Sequence, residues 1–177
     1  MFTHDKTPMV KVMSLALMLM VAASFAVAGT KKAPSTEEQM TGLQSMCDGS
    51  AGDRSARHAQ EALYNRLGGY DRILELTTEI VRLHKVNPEI KHMFDHVDSK
   101  MLAKHVADFM AAGTGGTATY TGRDLPSSHA HLRMTDGDFL SAGGDVIQAM
   151  KNLDYGQDEI DEVVCILVSL KDQVVFN

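Results

Sequence analysis

From Ala62 onward, apolar residues recur at steps of three and four, interrupted by glycine clusters, and strand-like alternation is absent. That period lines up apolar side chains on one face of a helix, whereas a half-buried strand needs a period of two. The segment is therefore predicted to be all-α. Ile73, Leu76, Ile80 and Leu83 predict a helix from about Tyr70 to Val86. Asn87-Pro88 ends it, because a residue before proline is pushed out of the helical region. Asp98 can cap a second helix in which Leu102, Val106, Phe109 and Met110 share a face, stopped by Gly113-Thr114-Gly115-Gly116. Pro126 helps start a brief helical piece through His131. Thr135 with Asp138 three residues on suggests a capping arrangement for a helix carrying Phe139, Val146, Ile147 and Met150. Ile160, Val163, Leu167, Leu170 and Val174 mark a last helix. Four such faces are buried if two antiparallel pairs pack on each other.

The 61 residues ahead of this pattern divide into two parts. Lys6 and Lys11 precede an uncharged apolar run from Val12 to Val27, and Ala26-Val27-Ala28 offers a small-x-small cleavage pattern, so residues 1–28 read as a signal peptide. The run is 16 residues long, short of the roughly 20 that span a bilayer, which favours cleavage over an anchor and places the mature chain in the periplasm or outside the cell. Residues 29–61 are polar and read as a loose or weakly helical extension, a tether or a cover for the first helix. Residues 62–177 form the helical domain. Cys47 and Cys165 survive cleavage, and an oxidising compartment permits a bridge between them. The run Val163-Val164-Cys165-Ile166-Leu167 instead favours Cys165 as a reduced, small core residue.

A formal charge of −6, with 17 basic against 23 acidic side chains, argues against a nucleic-acid partner. No membrane association is expected after cleavage. Nothing in the chain assembles a hydrolytic triad or a phosphate loop. Five of the 12 methionines lie in the leader and the rest fall at core-like spacings, so copper handling is disfavoured.

The histidines carry more information. His129 and His131, two apart, face different directions on a helix and cannot share one metal. His129 sits on a short piece between the Gly115-Gly116 hinge and Thr135, where an inward imidazole could serve as an axial haem ligand with its other N–H fixed by a carbonyl; a surface or capped core histidine is the alternative. His105 shares a face with Leu102, Val106 and Phe109. It is either an edge histidine with its tip in water or a distal ligand or gate. His92 and His96, four apart beside Asp95 and Asp98, have a spacing that can hold a metal. His58 and His84 show no constellation.

Four stretches together resemble the truncated haemoglobin family, specifically its group I branch. They are Leu63-Tyr64-Asn65-Arg66-Leu67-Gly68-Gly69; Asn87-Pro88-Glu89-Ile90-Lys91-His92-Met93-Phe94; Phe109 with Gly115-Gly116; and Tyr120-Thr121-Gly122-Arg123-Asp124-Leu125 followed by His129-Ala130-His131-Leu132-Arg133-Met134-Thr135. The likeness runs from about Leu63 to Val175. It implies a globin-like, two-on-two helical sandwich around one b-type haem, binding diatomic gases (O2, CO, NO) opposite the proximal histidine. That histidine maps to His129. By the same mapping Phe94 packs on the porphyrin, Phe109 and Met110 line its distal edge, and Met134, Phe139, Val163 and Leu167 contribute to the pocket. Tyr120 and Arg123 come near the propionates.

Many relatives place a tyrosine on the second helix and a glutamine on the distal helix as donors to bound dioxygen. Here Val81 and Val106 stand at those positions and Leu102 at the gate, and none can donate a hydrogen bond. His105 falls where some cyanobacterial relatives carry a second axial histidine, which implies a six-coordinate resting iron. No histidine follows His131, so the covalent haem attachment of some relatives has no counterpart and non-covalent haem is expected. The resulting reading is a haem protein in oxygen binding or transport, NO handling or electron transfer. It includes a redox partner of unspecified identity and, in place of a dedicated enzymatic activity, at most NO dioxygenase-like or redox turnover. The alternatives are a periplasmic non-haem zinc or copper module using His92 and His96, and a helical sensor that kept the fold without the cofactor.

Overall fold

The computed structural model describes residues 32–117 and 119–176; the leader read over residues 1–28 lies outside them. Among the described residues there is no strand, only an isolated parallel bridge between Met134 and Val175. The helices are α1 (Thr36–Gly49), α2 (Ala51–Gln60), α3 (Leu63–Arg66), α4 (Gly69–Val86), α5 (Ser99–Gly113), α6 (Leu125–His129), α7 (Asp136–Asn152) and α8 (Gln157–Leu170), with 3-10 turns at Lys91–Phe94, Ala130–Leu132 and Lys171–Gln173. None of them is long and apolar enough to cross a membrane.

The extension is not loose: it carries α1 and α2. Ser35 and Glu38 form a reciprocal capping box, in which the Glu38 N–H donates to Ser35 Oγ at 3.2 Å and the Ser35 N–H donates to Glu38 Oε2 at 2.7 Å. Two of the donors left over at a helix start are thereby satisfied. α1 lies against α7 and α8, and Cys47 is bonded to Cys165 across the α1–α8 contact, with 5.4 Å between their Cα atoms. The expectation of a reduced Cys165 is thus corrected: the residue is buried in the core as foreseen, and α1 brings its partner there. Ionic contacts separately join α2 and α3 to α8. Arg66 donates to Glu159 at 2.8 Å and to the buried Glu162 at 2.6 Å, while Arg57 of α2 lies 3.7 Å from Glu162 and 3.6 Å from Asp158.

α4 begins one residue earlier than expected, after Gly68 at φ +88°. That backbone strains any L side chain, and a Cβ there would sit 2.7 Å from Arg72 Cγ, so only glycine fits. The helix buries Ile73, Leu76, Thr77, Ile80 and Val81 and ends at Asn87, before Pro88. Asp98 caps α5 by accepting from the Met101 N–H at 2.8 Å. The face α5 buries is not the one its large residues suggest. Ala103, Ala107 and Ala111 are the buried positions, while Leu102, Val106, Phe109 and Met110 are half-buried. Small side chains let α4 and α5 approach closely enough for Thr77 Oγ1 to donate to the Ala103 carbonyl at 2.9 Å. The larger side chains are thereby turned to a different side.

Thr135 and Asp138 form the anticipated capping box of α7. Ile73, Leu76 and Ile80 of α4, Val146, Ala149 and Met150 of α7, and Ile160, Val163 and Val164 of α8 belong to the principal core. Val81, Met134 and Phe139 are buried apart from that cluster.

Candidate functional site

His129 ends α6, a single helical turn whose start is tightly specified. Asp124 accepts from the Ser127 N–H at 2.7 Å, and Pro126 occupies the first turn, where its missing N–H costs nothing. The hydrogen bond to Ser127 is the chief reason that the Asp124 carboxyl is held below its ordinary pKa, with Arg123 adding a smaller electrostatic share. At the other end, His129 Nδ1 lies 2.8 Å from the Leu125 carbonyl oxygen. A carbonyl can only accept, so Nδ1 carries the proton and Nε2 is left with a lone pair. The ring is half-buried. This is how a neutral imidazole is oriented for a metal at Nε2.

The loop before α6 is tied to α5. Phe109 and Tyr120 meet edge to face with ring centroids 5.3 Å apart, and Tyr120 donates its hydroxyl proton to the Arg123 carbonyl at 3.0 Å. Phe109, Tyr120 and Arg123 are therefore brought together. Arg123 is exposed, and its guanidinium donates to the Ser127 carbonyl at 2.7 Å. Met134 and Phe139 are buried, Val163 belongs to the principal core, and Leu167 is half-buried against it. His105 is exposed, one helical turn from Leu102 and Phe109 and near Asp108; its place is the edge of the stripe.

His92 and His96 are exposed, and among the described residues no three His, Cys, Asp or Glu side chains converge on a common point. The zinc or copper alternative thus finds no donor set there. His131 and His58 are exposed as well.

His84 corrects the sequence reading, which gave it no constellation. It is largely buried, its Nδ1 lies 2.9 Å from Asp145 Oδ2 on α7, and its ring lies 5.1 Å from that of Phe94 at a 31° tilt. Asn87 donates from Nδ2 to the same carboxylate oxygen at 2.9 Å and to Ser141 Oγ at 3.0 Å. Burial pushes the His84 pKa below the ordinary histidine value, and the bond to Asp145 offsets only part of that. With the folded-state value depressed, its contribution to stability is complete above about pH 6.5 and is lost as pH falls through the folded-state value. A signal was present in the sequence: His84 follows Ile80 by four and Val81 by three, which continues the buried face of α4, and a ring placed there needs a polar partner.

Comparison with known proteins places this geometry in context. Residues 62–176 match the family model described as bacterial-like globin. A group 1 truncated haemoglobin of Synechocystis sp. is 27% identical over 108 residues, covering 59% of this chain and 87% of the relative. Among solved structures, the truncated haemoglobin of Tetrahymena pyriformis in its Fe(III) form superposes with a TM-score of 0.63 at 18% identity, over 66% of this chain and all of that one. The two-on-two haemoglobin of Synechococcus sp., in the cyanomet state and with covalently attached haem, superposes with a TM-score of 0.58 at 26% identity, over 64% of this chain and 94% of that one. The helical fold is that of these two-on-two structures.

Proposed function

Because the chain belongs to the bacterial-like globin family, we propose that it is an exported haem protein binding diatomic gases, with His129 Nε2 as the proximal ligand. The observation that carries this reading is the 2.8 Å contact between His129 Nδ1 and the Leu125 carbonyl, which leaves Nε2 as the only ring nitrogen able to bind a metal. The remaining residues suit a flat apolar group. Leu102, Val106 and Phe109 form a half-buried stripe on α5 outside the principal core, against which Met110 packs, and Val81, Met134 and Phe139 supply buried apolar surface away from that core. Phe94 packs on the ring, and Tyr120 and Arg123 lie toward the propionates.

One b-type haem, held through His129, would supply an iron able to take O2, CO or NO. It is held in this reading without a covalent bond, in contrast to the Synechococcus structure. Haemin added to the purified chain should give a Soret band that saturates at one equivalent; a colourless protein that refuses haemin would remove the proposal. The spin state in the same spectra reads the sixth position. His105 is kept as the distal ligand in this reading although it stands exposed at the edge of the α5 stripe: a low-spin ferric form should turn high-spin in His105→Ala, and identical spectra would leave it an edge histidine.

The distal side sets the ligand preference. Val81, Leu102 and Val106 offer no donor, and a good donor to a charge-bearing atom contributes about 1.5–3 kcal/mol. Bound dioxygen therefore leaves quickly, and NO chemistry or one-electron transfer with a redox partner suits the site better than oxygen storage. Val106→Gln should slow oxygen release by about tenfold to a hundredfold while changing CO affinity little. Equal oxygen dissociation rates in stopped flow would contradict a pocket without donors. Export to the periplasm accords with the small-x-small pattern at Ala26-Val27-Ala28 and with the Cys47–Cys165 bridge, which persists in oxidising compartments.

A further inference from the structure

We propose that His84 and Asp145 form a proton-binding site coupled to the cofactor, so that an electron gained at the iron is accompanied by uptake of a proton at His84 Nε2. The inference rests on the haem reading above and concerns a pair of residues which that reading does not use. Three features make the pair a built acid–base site. Asp145 accepts a hydrogen bond from the Nδ1 N–H at 2.9 Å and is itself steadied by Asn87 at 2.9 Å. His84 Nε2 has no hydrogen-bond partner among the described residues, yet it is not among the side-chain atoms sealed from solvent without one, so a proton can reach it. The ring then lies against Phe94, 5.1 Å between centroids, which puts the pair directly behind the side chain that packs on the cofactor.

The neighbouring charges leave Asp145 as the group that acts on this imidazole. On α4, Arg82 is engaged by Glu79, and Lys85 donates to the Val97 carbonyl and Ser99 Oγ. In the adjoining turn and the residues after it, Lys91, His92, Asp95 and His96 are exposed. On α7, Asp136 pairs with Lys171, Asp138 caps its own helix, and Lys151 is exposed. Burial disfavours the imidazolium and the Asp145 carboxylate favours it, with burial the larger effect, so the ring is held toward its neutral form. Adding one negative charge nearby raises its proton affinity.

The chemistry balances simply. A one-electron donor, here an electrode with a soluble mediator, reduces ferric to ferrous iron. Solvent supplies one proton, an N–H bond forms at Nε2, and no bond within the protein breaks.

The test is potentiometry of the haem-loaded full chain between about pH 5 and 8, the range in which a histidine titrates. The wild-type midpoint potential should fall as pH rises, by about 59 mV for each tenfold difference in His84 proton affinity between the two oxidation states. In His84→Phe, which keeps a ring against Phe94, that component should vanish. In Asp145→Asn, which serves equally if the first variant loses haem, the inflection should move to lower pH. Curves for wild type and either variant that superimpose would overturn the coupling while leaving the haem reading intact. A chain that takes up no haemin would sink both.

Discussion

His129→Ala should lose stoichiometric haem. The wild-type titration ends at one equivalent, whereas the variant should show an affinity weaker by more than about 100-fold, since loss of an outer-shell partner alone costs 10–100-fold at metal sites. The fold should survive, because the His129 side chain's one hydrogen bond goes to a carbonyl within its own turn and the principal core lies elsewhere. His129→Gly with free imidazole in the buffer should regain the Soret band, an outcome that a purely structural histidine cannot produce. Unchanged haem affinity in His129→Ala would transfer the proximal role to another residue.

The second large effect is on stability. The Cys47–Cys165 bridge closes a loop across a sequence separation of 118 residues. In the chain-entropy account a loop of that size contributes about 3–5 kcal/mol. Cys47→Ser should therefore lower the melting temperature by about 10 °C and should loosen α1 first. The Arg66–Glu162 and Arg57–Glu162 contacts join α3 and α2 to α8 independently of the bridge. Amide exchange should accordingly rise most in Thr36–Gly49 and much less in α4 and α5. Equal melting curves for the oxidised and variant proteins would show that α1 is held by packing and not by the bond.

How far the fold could be read from residues differs by helix. α4, α5, α7 and α8 were legible because each carries large apolar residues at helical steps and a recognisable start or stop, such as Asp98, Thr135 or Asn87-Pro88. α1 and α2 were read only as a loose or weakly helical extension because their surfaces are polar; α1 buries only Cys47 and α2 buries nothing. The Ser35 and Glu38 spacing was a local signal for α1, but what holds that helix in place is a partner 118 residues away, which periodicity does not encode. The buried side of α5 was misjudged for a different reason. Alanine carries little weight in a hydrophobic pattern, yet it sets how closely two helices approach, and Ala103, Ala107 and Ala111 took the place assigned to Leu102, Val106 and Phe109.

The candidate site shows the same division. His129 was singled out by its short, bounded segment together with the family resemblance, and the carbonyl expected to fix its tautomer is that of Leu125. His84 was passed over because its partner Asp145 lies more than fifty residues ahead in the chain. A histidine on a buried stripe signals that some partner exists without saying which. His105 was equally balanced between two roles in the sequence, and its exposure follows from the way the alanine ladder turns α5.

The most direct measurement is a crystal structure of the chain loaded with haemin. The account predicts iron bonded to His129 Nε2, with Leu125 still accepting from Nδ1 and the Phe94 ring packed on the porphyrin. Iron held by any other side chain on the proximal side, or a His129 ring swung into solvent, would contradict it.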